Sequence, residues 1–198
     1  MAYEFHNSKV DGTPDQEIVS GQIGSLFTSL TSQERLTGDQ EFSKVWITAD
    51  SDLTSLIGLS NPTDYTSTVF VSASESDVEG DLTGSELRYG AQKVATVGSN
   101  YIDVEDNVDY TLMRSADVII IAGATYTIDT VVDNTNGTHR VTTTTALASL
   151  PSVGDYVTST FALTLITATP KPFWREEKVT AGAAWYGEYA TAEILIAD

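Results

Sequence analysis

Nucleophilic catalysis of the Ser-His-Asp kind needs a base held beside the nucleophile and a carboxylate that orients it. The chain offers two histidines, His6 and His139, both in loop-like or turn-like surroundings. His139 has Asp133 six residues away across a turn expected at Asn134-Thr135-Asn136-Gly137, and a surface histidine in a hairpin explains that arrangement without chemistry. Hard cations such as calcium need several oxygens at close range. The acidic groupings that could supply them are Glu75/Asp77/Glu79/Asp81, Asp103/Glu105/Asp106/Asp109 and Asp133/Asn134/Asn136. None has the spacing of a calcium loop, and acids alternating along an extended chain fall on one face, where they solvate a strand and deter edge-to-edge pairing. No metal site is expected from them. Basic residues are scarce, yet Lys171, Arg175 and Lys178 lie close together beside Phe173 and Trp174, with Arg114 elsewhere in the chain. Two readings stay open for that segment: a contact surface for an acidic neighbour, another copy included, or a strand with a charged solvent face and Trp174 in the core. Trp185, Tyr186 and Tyr189 divide in the same way, between an aromatic platform for a sugar and packing across a sheet.

No phosphate-binding loop, dinucleotide fingerprint, HExxH helix or nucleophile elbow occurs, so neither an enzyme nor a bound cofactor is expected. The composition narrows the field further. Of 198 residues, 28 are Asp or Glu and 10 are Lys or Arg, a formal charge of −18. Binding to a nucleic-acid backbone requires the opposite sign, so no nucleic-acid partner is expected. Hydrophobic residues make up 41% of the chain, enough for a folded core, and no apolar run approaches the ~20 residues that cross a bilayer. Cysteine is absent, which excludes disulfides and thiolate metal sites. The N-terminus lacks the basic start and apolar stretch of a signal peptide, which points to a soluble protein made in a cytoplasm.

The elements that would position these residues are short strands. Residues 116–157 carry a β-branched run at Val118–Ile121, a break at Gly123, a second run at Tyr126–Val132, the Asn134–Gly137 turn and a third run at His139–Thr145. Short strands joined by tight turns make a barrel or meander, here expected as a module over 94–165 inserted into another domain. Phe161–Thr167 alternates and either closes that module or re-enters the outer one. Outside it, residues 1–20 are polar and extended, either a docking arm, a first strand or a loose terminus. Ile23, Leu26, Phe27 and Leu30 fall at helical spacing, with Thr31-Ser32-Gln33-Glu34 as a capped turn after them. Phe42, Lys44 and Trp46 share one face of a strand, Leu53–Leu59 is an apolar cluster, Thr66–Ala73 is a strand, and Leu82–Gly90 shows no pattern. Phe173–Val179 and Thr191–Ile196 are the last strands; lacking a core of their own, they should pair with the strands around Phe42–Thr48 and Thr66–Ala73.

Four features in order carry a resemblance: Phe27-Thr28-Ser29-Leu30-Thr31, Gly38-Asp39 before Lys44-Val45-Trp46-Ile47, Pro172-Phe173-Trp174-Arg175, and Val179-Thr180-Ala181-Gly182 ahead of a final strand. Together they resemble small β-sandwich virion proteins of tailed bacteriophages, and the inserted module looks like the β-barrel inserts of phage structural proteins. Where such endings usually read Val-Pro-Ala-Gly, this chain has Thr180 in place of the proline. The resemblance implies a structural role in the virion, with other virion proteins and copies of the chain itself as partners.

The expectation is therefore an all-β protein with at most one or two short helices. A discontinuous outer β-sandwich (1–93 plus 166–198, about 125 residues) carries an inserted small β-barrel (94–165, about 70). Function is expected to be assembly of the tail or baseplate, with the head surface and the head–tail junction as alternatives. Interaction is expected through Lys171, Phe173, Trp174, Arg175, Lys178, Trp185 and Tyr186. Two other classes are a carbohydrate-binding adhesion module using Trp185 and Tyr186, and, last, an acidic hydrolase with paired carboxylates ~5–10 Å apart.

Overall fold

The structure is a computed structural model that describes residues 3–9, 13–18, 31–60, 67–72, 87–107, 111–179, 181–182 and 193–197. It is all-β, with two sheets and one short helix among those residues. The chain opens with a hairpin, β1 (Tyr3–Ser8) and β2 (Pro14–Glu17), so the polar start is a first strand with its partner rather than a free arm. Helix α1 (Ser32–Thr37) follows. Thr31 is its N-cap, accepting from the Glu34 amide at 3.2 Å while the Glu34 carboxylate accepts from the Thr31 amide at 2.6 Å. The capped segment expected at Thr31–Glu34 is the start of this helix; Ile23–Leu30, with its helical spacing, lies outside the described residues.

The strands that follow are β3 (Asp39–Ala49), β4 (Leu53–Ser60), β5 (Ser67–Ser72), β6 (Arg88–Tyr89), β7 (Ala91–Val97), β8 (Tyr101–Glu105), β9 (Val118–Ile121), β10 (Ala124–Asp133), β11 (Thr138–Thr143), β12 (Tyr156–Leu165), β13 (Lys171–Val179) and β14 (Glu193–Ala197). The first sheet runs β2-β1-β3-β13-β5-β6. As expected, β13 pairs with β3 and β5, but β14 does not join them: it pairs with β4 in the second sheet, Leu195 opposite Gly58.

The second sheet runs β14-β4-β12-β7-β8-β11-β10-β9, and β9 pairs again with β12. Six strands (β12, β7, β8, β11, β10 and β9) therefore close into a ring. Turn chemistry explains the tight corners. Ala122 and Gly123 both take positive φ (48° and 80°), the conformation that a two-residue hairpin between right-twisted strands requires. Thr135 and Gly137 do the same in the β10–β11 turn, at 60° and 82°.

The hydrophobic core falls into two clusters. One joins Val45, Ile47 and Phe173 of the first sheet to Ile57, Phe161, Leu163 and Leu165 of the second. The other fills the ring with Ile102, Ile119, Ile121, Ile128, Val141 and Val157, among others. Strand β12 serves both. Its first half pairs with β7 and β9 and gives Val157 to the ring. Its second half pairs with β4 and gives Phe161, Leu163 and Leu165 to the sandwich. The alternation over Phe161–Thr167 both closes the ring and re-enters the outer sheet, because one unbroken strand does both.

Gly58 sits where β4 meets the middle of β12. A Cβ there would lie 2.9 Å from Thr160 Cγ2 and 3.2 Å from Thr158 Cγ2, and threonine has little rotamer freedom with which to yield. Gly58→Ala is expected to lower stability by about 1–3 kcal/mol in urea unfolding, whereas alanine at the open Gly137 position would strain only its positive φ.

Candidate functional site

The segment Lys171–Val179 lies in the middle of the first sheet. Successive side chains of a strand point to opposite faces, so Lys171, Phe173 and Arg175 share one side while Trp174, Glu176 and Lys178 share the other. The three basic residues therefore do not form one surface. Phe173 is in the sandwich core, Trp174 and Arg175 are buried, and Lys171 and Lys178 are half-buried. Of the described candidates, Lys171 and Lys178 are the two that keep solvent-accessible surface. Trp185 and Tyr186 lie outside the described residues.

On the side of the sheet away from the core, Glu176 is 1% exposed. Its carboxylate accepts from Arg88 Nε on β6 and from Gln40 Nε2 on β3, tying three strands together. Arg88 is itself 4% exposed. A pair 88 positions apart in sequence, its arginine on a two-residue strand, leaves no periodic signal, and Leu82–Gly90 had none to read.

The ring carries a second polar group on its outside. Arg140 on β11 stands opposite Asp103 on β8 and donates twice to it, Nε to Oδ1 at 2.8 Å and Nη2 to Oδ2 at 3.1 Å. The guanidinium also lies 4.0 Å from the Tyr101 ring. Beside them His139 Nδ1 hydrogen-bonds Asp106, not the Asp133 that its sequence neighbourhood suggested. Asp133 instead accepts from the Thr135 amide at 2.6 Å and shapes the turn. The carboxylates of Asp103 and Asp106 are thus engaged by Arg140 and His139. Among the described residues no three His, Asp or Glu side chains gather around a common point.

The Arg140 guanidinium holds the Asp103 carboxyl below its ordinary value, against the opposing effect of burial, with a smaller downward contribution from Asn134. A depressed native value means that the pair stabilises the fold fully above the unfolded aspartate value, ~3.9, and that this contribution disappears as pH falls through the native value. Arg140 is 42% exposed and water screens the pair, so Asp103→Asn should be less stable by about 1 kcal/mol near neutral pH and lose less on acidification than the parent chain, measured as urea midpoints at about pH 7 and about pH 2.

A third group lies where ring and sandwich meet. A cleft of about 370 Å³ is lined by Tyr89, Phe161 and Leu163 on one side and by Asp117 and Val118 on the other. Asp117 Oδ2 accepts from the Arg114 amide at 3.0 Å and lies 3.2 Å from Arg114 Nε, whose guanidinium sits 4.7 Å from the Tyr89 ring. Burial pushes the Asp117 carboxyl up, partly offset by the Arg114 charge. Its sign is opposite to that of Asp103: protonation of Asp117 adds stability as pH falls through its native value.

Searches of protein-family models, curated proteins and solved structures find no match to this chain.

Proposed function

We propose that this chain is a multicopy structural component of a tailed bacteriophage virion, in the tail or baseplate, that works by protein–protein assembly. The observation that carries the reading is β12. One hydrogen-bonded strand, Tyr156–Leu165, supplies both cores, so the ring is joined to the sandwich through a sheet rather than a linker. A building block that passes force or register from one neighbour to the next needs such a joint. A binding module on a flexible tether does not.

Two further features support it. The Pro172-Phe173-Trp174-Arg175 segment, which carries the resemblance to phage virion proteins, forms the strand between β3 and β5, and Gly182 after it takes a positive φ of 79°. The formal charge of −18 favours basic neighbours, or cations that bridge the copies.

Immunogold electron microscopy of purified particles, with antibody against this chain, tests the reading. Gold along the tail or at its tip is the expected result. Gold on the head surface or at the head–tail junction would move the chain to decoration or neck, and particles without label would end the virion reading.

A further inference from the structure

The turn between β10 and β11 reads Asp133-Asn134-Thr135-Asn136-Gly137-Thr138, and of the chain's six asparagines only Asn136 precedes a glycine. A backbone amide nitrogen can attack the side-chain carboxamide of the residue before it. A side chain on the attacking residue obstructs that approach, and glycine has none. The fold leaves the approach open. Asn136 and Gly137 are exposed, and a Cβ on Gly137 would meet nothing within 4 Å. The Gly137 amide donates to no acceptor among the described residues, while its carbonyl accepts from the Asp106 amide at 3.1 Å. The carboxamide is held from its other side. Asn136 Oδ1 accepts from the Thr138 hydroxyl at 2.8 Å, and Asn134 Nδ2 donates to that same hydroxyl at 2.9 Å. A hydroxyl that accepts one hydrogen bond donates the next more strongly. The backbone beneath is fixed by the Asn134 amide on the Thr138 carbonyl at 3.0 Å and by the Thr135 amide on the Asp133 carboxylate at 2.6 Å.

We propose that Asn136 is a self-modification site, which converts to aspartate and isoaspartate with water as the only co-reactant. The Gly137 nitrogen attacks Asn136 Cγ. The new N–Cγ bond forms, the Cγ–Nδ2 bond breaks, and Nδ2 leaves as ammonia with the proton that the Gly137 amide gives up. The product is a five-membered succinimide. Water then adds to one of its two carbonyl carbons. Opening the new bond gives aspartate, and opening the original peptide bond gives isoaspartate, whose backbone runs through the former side chain. The attack places negative charge on Oδ1, where the Thr138 hydroxyl already donates, so the stabilising donor is in place before the reaction. Each conversion adds a negative charge to a hairpin tip that already carries Asp133, and isoaspartate lengthens the turn that joins β10 to β11. The inference is independent of the assembly reading: it gives each copy a charge that changes with time after synthesis.

Incubation of the full chain in mildly alkaline buffer, followed by peptide mapping with mass spectrometry, tests the proposal. Conversion is expected at Asn136, seen as the mass gain of amide to acid in two chromatographically distinct products. It should outpace conversion at Asn100 and Asn134, whose successors Tyr101 and Thr135 carry side chains. Gly137→Ala should slow it about tenfold or more, because a Cβ obstructs the attacking nitrogen. Thr138→Val keeps the β-branched shape and removes the hydroxyl. It should slow conversion about three- to tenfold in the folded chain, the factor that one ordinary hydrogen bond carries, and leave the rate in concentrated urea unchanged. An Asn136 that stays an amide, a rate there no greater than at Asn100 and Asn134, or a folded Thr138→Val chain that converts as fast as the parent would overturn the proposal.

Discussion

Glu176→Ala is expected to lower stability by about 3–5 kcal/mol. Glu176 and Arg88 are 1% and 4% exposed, so neither is screened by water. Taking two ions out of water is costly, and their attraction repays this only while both are present. Removing the carboxylate takes from the buried Arg88 guanidinium the charge that its Nε meets, and from Gln40 one hydrogen-bond acceptor. For a chain of this length the loss corresponds to a fall in Tm of roughly 6–20 °C. Arg88→Met combined with Glu176→Leu should recover most of it, since an apolar pair of similar volume carries no desolvation cost. Urea unfolding of Arg88→Met, of Glu176→Leu and of the double variant gives the coupling directly. A double variant no more stable than Glu176→Ala would show that the pair's other neighbours, not the ion pair, hold the region.

Phe173→Ala and Ile119→Ala should each cost about 2–5 kcal/mol, although they sit in different cores. Phe173 is fully buried and meets Phe5 and Phe161 edge-on, at ring-centroid distances of 6.4 Å and 6.2 Å. Ile119 is fully buried inside the ring and stands opposite Ser159 of β12 and Tyr126 of β10. Either substitution leaves a cavity in a packed interior. The informative quantity is how each loss spreads. If β12 couples the cores, the Ile119 variant should speed hydrogen exchange at Leu163 and Leu165 as well as in the ring. If it does not, the acceleration should stop near Thr160.

Local patterns in the sequence were enough to place many strands. The alternation of Phe42, Lys44 and Trp46 against Val45 and Ile47 marks a two-faced strand, and β3 is one. Asn134–Gly137 marks a hairpin turn, and the turn is there, although the positive φ falls on Thr135 and Gly137 rather than on either asparagine. The pairing of β13 with β3 and β5 follows from strands that have nothing of their own to pack against. What was hidden depends on partners distant in sequence. β6 has two residues and no period, yet supplies Arg88 and Tyr89. His139 faces Asp106 because β8 and β11 are neighbours, which no spacing within the hairpin can reveal. The basic cluster at Lys171–Lys178 reads as a surface only when the period of two is ignored; alternation splits it across the sheet.

Calorimetric unfolding of the full chain tests whether one strand makes ring and sandwich a single mechanical unit. One transition is expected, with equal calorimetric and van't Hoff enthalpies, moved as a whole by Phe173→Ala and by Ile119→Ala. Two transitions, one moved only by Phe173→Ala and the other only by Ile119→Ala, would contradict it: β12 would then be a tether between independent bodies.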